Sequence, residues 1–124
     1  MTLKELYQSI GEDYDQAMRV LRVEKLLDKH IRRFQQNGVV EELLKAGDEM
    51  DPTKLFETAH AVKGVCANLG LKKLSDAASE ITEEYRPGNA RKLSDEEVKG
   101  QMANIREMYE TIIKGIQSYE ETCE

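Results

Sequence analysis

The sequence predicts an all-α fold, an antiparallel up-and-down four-helix bundle with short capping helices at its N-terminus. Three observations carry this. Apolar residues recur at spacings of three and four rather than two, the period of one helix face. The prolines, Pro52 and Pro87, fall where that periodicity breaks, as helix boundaries require of a residue without an amide donor. Four amphipathic stretches of useful length are joined by short connections, and helices that each carry an apolar stripe must bury it against one another.

The first element is a short helix from about Thr2 to Ile10, broken at Gly11 and followed by a second short helix carrying Tyr14, Ala17, Met18 and Leu21. A longer helix continues through Val23, Leu26, Leu27, Ile31 and Phe34 and ends near "QQNG", because Asn37 and Gly38 tolerate the left-handed backbone of a helix C-terminus. Val39, Val40, Leu43, Leu44 and Ala46 begin the next helix, weakened by Gly47 and closed before Asp51. Asp51 then serves as N-cap and Pro52 as first residue of the central helix, with Gly70 just past its end. Leu71, Leu74, Ala78, Ile81 and Tyr85 form the next stripe, which stops at "RPGN". Ser94 with Glu97 makes a capping-box pattern for a last helix of more than about twenty residues through Val98, Met102, Ile105, Tyr109, Ile112, Ile116 and Tyr119.

A chain of 124 residues suits one domain. Residues 1–124 are read as that domain, with the short helices over about 2–21 and the bundle over about 22–122. With 18 Lys+Arg against 24 Asp+Glu, the net charge of -6 argues against nucleic acid or anionic lipid as partner. The two cysteines, Cys66 and Cys123, form no CxxC and no metal-binding cluster. A reducing cytoplasm fits this usage, and no metal or cofactor is expected. The start "MTLKELYQSIGEDYD" lacks a secretory pattern, and no stretch approaches a membrane span.

The central helix holds the most informative stretch, "ETAHAVKGVCANLG", Glu57 to Gly70. At about 100° per residue, Leu55, Ala59, Val62, Cys66 and Leu69 lie within roughly 40° of one direction, the core side. On the same wheel His60 lies roughly 140° away, Lys63 roughly 80° and Gly64 roughly 180°. His60 is therefore expected in solvent, either as an ordinary surface histidine or as part of a site. Gly64 favours the site: a helical glycine costs about 1 kcal/mol relative to alanine, and this one bares the surface one turn from the imidazole. Lys63 can swing toward the same point. Ala61 and Ala67 keep the neighbourhood low, and Phe56, one turn before His60, adds an apolar contact of the kind docking surfaces use.

An imidazole near its unperturbed pKa is largely neutral at cytoplasmic pH and offers a nucleophilic ring nitrogen. A phosphoryl group taken onto it would be stabilised by Lys63. The chain has no GxxxxGK[ST], no kinase-type GxGxxG and no Asp cluster suited to Mg²⁺. It is equipped to hold a phosphoryl group and not to take one from ATP.

These residues resemble the histidine-containing phosphotransfer (HPt) family of two-component phosphorelays. "AHAVKGVCANLG" is similar to its signature of an Ala-His pair, an apolar residue, Lys-Gly and a second glycine closing the helix; Asp51 ahead of it, "NLGLKKL" behind it and Phe34 extend the likeness. The resemblance implies a four-helix bundle in which His60 is phosphorylated, Lys63 assists the phosphoryl group and Gly64 gives access to the partner; the patch read from the wheel adds Phe56 and Ala67 as expected contacts. It implies exchange with the aspartate of a receiver domain, on a response regulator or hybrid kinase, that brings its own Mg²⁺. The protein would then be a monomeric carrier and not an enzyme. One departure concerns an acid that some relatives place on the next helix to orient the histidine: the matching position is Thr82, a possible orienting group flanked by Ser75 and Ser79. Two rival readings are a helical adaptor that binds a receiver without chemistry and the phosphorylatable domain of a chemotaxis-type kinase. The end "YEETCE", without a linker, speaks against the latter.

Other residues read as structural. His30, between Leu27 and Phe34, is expected to be partly buried. Cys66 is a small buried hydrophobe, Cys123 a terminal thiol without function, and Met102 and Met108 core filler.

Overall fold

The computed structural model describes residues 1–122; Cys123 lies outside the described residues. The chain is helical throughout, with no strand among the described residues. Helix α1, Leu3–Ser9, opens on a Thr2/Glu5 capping box, and α2, Tyr14–Leu21, opens on Asp13, whose carboxylate accepts the amides of Asp15 and Gln16. Helix α3, Glu24–Arg33, runs into a 3₁₀ turn over Phe34–Gln36. Helices α4, Val39–Glu49, and α5, Pro52–Asn68, follow, then α6, Lys72–Tyr85, and α7, Asp95–Thr122.

Each boundary has a local cause. Gly38 takes φ 77 before α4, and Asp51 accepts the Lys54 amide at 3.2 Å with Pro52 behind it. Gly70 takes φ 70, which a side chain rarely tolerates, and the Leu71 amide reaches back to the Cys66 carbonyl at 2.9 Å to close α5. At the start of α7 Ser94 and Glu97 cap each other reciprocally, both bonds at 3.1 Å. The connection between α6 and α7 is organised by Glu84. Its buried carboxylate accepts Arg91 Nε at 2.6 Å and the amides of Lys92 and Leu93 at 3.0 and 2.9 Å.

One boundary departs from the expected pattern. The stripe running on through Val23 and Leu26 is interrupted at Arg22, which takes φ 61, and Val23 becomes the N-cap of α3. The chain turns there, so Val23 and Leu26 are 49% and 41% exposed while Leu27 and Ile31 go inside. Gly47 also has a role beyond weakening α4: a Cβ on it would lie 2.9 Å from Met102 Cε, so the glycine lets α7 approach.

Helix α4 packs on α5, α5 on α6, α6 on α7, and α7 back on α4. Ser75 Oγ donates to the Lys63 carbonyl at 3.1 Å, and Gln101 Nε2 donates to Glu80 at 3.2 Å. Along α7, Arg106 meets Asp48, Tyr109 donates to Glu41 and Tyr119 donates to Asp28. Advancing along α7 therefore means stepping backward through α4 and then α3. Leu55, Val62, Leu74, Ile81, Ile105 and Ile116 are among the fully buried side chains between them.

The N-terminal helices fasten the turn between α5 and α6. Tyr7 donates to the Leu69 carbonyl at 2.5 Å, Glu12 accepts the Lys73 amide at 3.1 Å, and Ala17 lies so close to Gly70 that a Cβ there would meet its Cα at 2.7 Å. The turn that ends the histidine-bearing helix is thereby held from outside. No helix among the described residues is long and apolar enough to cross a membrane.

Candidate functional site

Helix α5 divides its side chains as the wheel requires. Leu55, Ala59, Val62 and Cys66 are completely buried and Leu69 nearly so, whereas His60, Gly64 and Ala67 are exposed and Phe56 and Lys63 half-buried. Burial pushes the Cys66 thiol up to about 12, assisted by the negative charge of Glu12, so it is an inert core residue. No group of three or more His, Cys, Asp or Glu side chains suited to a metal occurs among the described residues.

The imidazole of His60 has an aromatic neighbour. Phe56, one turn earlier and on the same side of α5, stacks with it at 6.1 Å between ring centroids and 20° between planes. Across the groove, Arg86 at the end of α6 holds its guanidinium carbon 5.5 Å from the centre of the Phe56 ring. Arg86 is itself fixed by Glu83, through Nη2 to Oε1 at 2.8 Å and Nε to Oε2 at 3.1 Å. Hydrogen bonding from Arg86 holds the Glu83 carboxyl below the usual range, helped by the charges of Arg86 and Lys63. His60, Phe56, Lys63, Glu83 and Arg86 thus form one cluster bridging α5 and α6.

Gly64 adjoins this cluster on the open side. A Cβ built on it meets nothing within 4 Å, so no packing among the described residues demands the glycine. Lys63 is tied in by its backbone, whose carbonyl takes the Ser75 hydroxyl.

Two residues singled out in the sequence, Thr82 and His30, differ sharply in burial. Thr82 is completely buried and its hydroxyl donates within α6 to the Ala78 carbonyl at 2.8 Å. Its proton is committed to its own helix, and the recorded neighbour of the imidazole is Phe56. His30 is exposed rather than partly buried; it edges a groove of about 510 Å³ with Val20, Arg33, Phe34 and Val65. The turn at Arg22 rotates α3 so that Leu27 and Ile31 point in while His30 remains outside.

Glu83 and Arg86 went unrecognised as site residues in the sequence. A signal existed: Phe56 lies fourteen positions before Gly70 and Arg86 sixteen after it, so helices folding back at that turn bring them together.

The fold and this cluster define an all-helical domain presenting an exposed histidine and a half-buried lysine beside a bare helix surface. The Hpt domain family model matches residues 3–115, and the chain belongs to that family. Hpt domains are phosphocarriers of two-component phosphorelays and work with receiver domains. Neither a curated protein nor a solved structure matches the chain.

Proposed function

We propose that His60 accepts a phosphoryl group from the aspartate of one receiver domain and delivers it to the aspartate of another. The lone pair of a neutral ring nitrogen attacks phosphorus; the P–N bond forms as the P–O bond to aspartate breaks, the carboxylate leaves, and the other ring nitrogen can release its proton to solvent. Lys63 balances the anionic phosphoryl group. Gly64 clears the approach of the receiver, which contacts Phe56 and Ala67 and supplies Mg²⁺ from its own acidic pocket. The return reaction reverses these bonds.

The observation that carries this reading is the open space at Gly64, one turn from an exposed imidazole. Open space at Gly100 on α7 carries no such meaning; at Gly64 it adjoins the imidazole and leaves room for a docking partner. The ring of packed neighbours α4 to α7, with partners on α7 met in reverse order along α4, supports an antiparallel up-and-down four-helix bundle. We read residues 1–124 as one such domain, working as a cytoplasmic monomer that offers the same face to successive receivers.

The test is label transfer from a phosphorylated receiver domain. Wild-type protein should take up an acid-labile, base-stable label, and His60→Gln should abolish it while the thermal transition stays in place. Label retained by His60→Gln would overturn the assignment of His60. Tight receiver binding without label would favour an adaptor.

A further inference from the structure

We infer that Phe56 is the positioning residue for the His60 imidazole, with Arg86 bracing its ring from α6. The inference rests on the phosphotransfer reading above and names what orients the attacking nitrogen.

An exposed histidine on a helix populates more than one rotamer, and only some present a ring nitrogen to a docked phosphorus. His60 makes no hydrogen bond or ion pair among the described residues, so no acid or hydroxyl fixes it. The stack on Phe56 does this instead. Its 6.1 Å centroid separation and 20° interplanar angle lie in the range of offset aromatic pairs. A ring one turn back limits the imidazole's swing and leaves the side toward Gly64 open.

Phe56 in turn is constrained from two sides. Part of its ring packs against the core, and the Arg86 guanidinium lies over its face at 5.5 Å, within cation–π reach. Arg86 is restrained at its backbone and its side chain. Pro87 behind it favours extended backbone, observed as ψ 129, and Glu83 holds the guanidinium through Nε and Nη2. The succession Glu83, Arg86, Phe56, His60 thus carries the rigidity of the end of α6 to the reacting ring, in place of an orienting carboxylate.

The experiment pairs proton NMR of the His60 ring with single-turnover transfer from a phosphorylated receiver, in wild type, Phe56→Leu, Phe56→Tyr and Arg86→Ala. Stacking should displace the His60 ring protons upfield. Phe56→Leu should remove that displacement and slow the maximal transfer rate at saturating receiver about tenfold, beyond any rise in the half-saturating concentration from the lost contact. Phe56→Tyr should restore both, and Arg86→Ala should lie between. Unchanged ring-proton shifts in Phe56→Leu would overturn the stack. Slowing confined to the half-saturating concentration would make Phe56 a docking contact only and overturn the positioning role. If wild type takes no label from any receiver, the phosphotransfer reading fails, while the ring-proton shifts still report on the stack by themselves.

Discussion

Gly64 on α5 and Gly115 on α7 are both glycines inside long helices, and both carry the same intrinsic penalty. Their surroundings differ completely. A Cβ on Gly115 would lie 2.6 Å from Ile10 Cγ2 and 3.2 Å from Leu6 Cδ1, so α1 can seat on α7 only because that side chain is missing. A Cβ on Gly64 would meet open space. One glycine is explained by the chain's own packing; the other is left for a partner to explain. The contrast separates a glycine that packing requires from one that it does not, and it is the neighbouring imidazole that distinguishes Gly64 from the equally open Gly100.

The sharpest way to break the comparison is to fill both positions. Gly64→Gln should slow transfer about a hundredfold by displacing the docked receiver, yet leave the protein as stable as wild type or about 0.5–1 kcal/mol more so, because glycine is a poor helix former. Gly115→Val should do the reverse. It should lose about 1–3 kcal/mol through overpacking against Leu6 and Ile10, lowering the melting temperature by about 3–6 °C per kcal/mol, while the folded protein transfers at the normal rate. Thermal melts and single-turnover assays on the same samples check both. A destabilised, fully active Gly64→Gln would reverse the interpretation of that position.

A smaller effect tests whether the far end of α6 belongs with the packing residues. Glu84→Gln should cost about 1–2 kcal/mol by weakening the bonds from Arg91, Lys92 and Leu93, and it should alter acid stability. Burial alone would raise the Glu84 pKa, but the Arg91 hydrogen bond and the two backbone amides together hold it below the ordinary value. A depressed folded pKa means that the unfolded chain binds the proton more readily. The carboxylate's stabilising contribution is therefore complete above the ordinary glutamate range and is lost as pH falls through the lowered value. Denaturant titrations from neutral into acid conditions should show that loss in wild type and less of it in Glu84→Gln.

The division of α5 into a core side and an outer side was legible in the sequence because it depends only on helical period. The caps at Asp51 and at Ser94 with Glu97 were legible for a similar reason, since each lies within one turn of the residues it serves. What escaped needed information from distant parts of the chain. Arg22 adopts a left-handed backbone without being a glycine, and α2 at that point is held against the Gly70 turn by Ala17. The same break set His30 outside. Thr82 is buried, and a buried threonine on a helix satisfies itself most cheaply on the carbonyl four residues back. Arg86 and Phe56 meet only after two helices fold past each other.

The fastening of the α5–α6 turn by Tyr7, Glu12 and Ala17, together with the bond from the Met1 amine to the Thr122 carbonyl at 2.9 Å, bears on the order of assembly. The N-terminal helices find their seat on segments far along the chain, at the α5–α6 turn and on α7. Closing so long a loop is entropically unfavourable until most of the chain is in place. During refolding, amides of α1 should therefore gain protection from hydrogen exchange late, together with those near Gly115, after the hairpin bearing His60 has formed. The helices that precede the site in sequence would be the latch that shuts behind it.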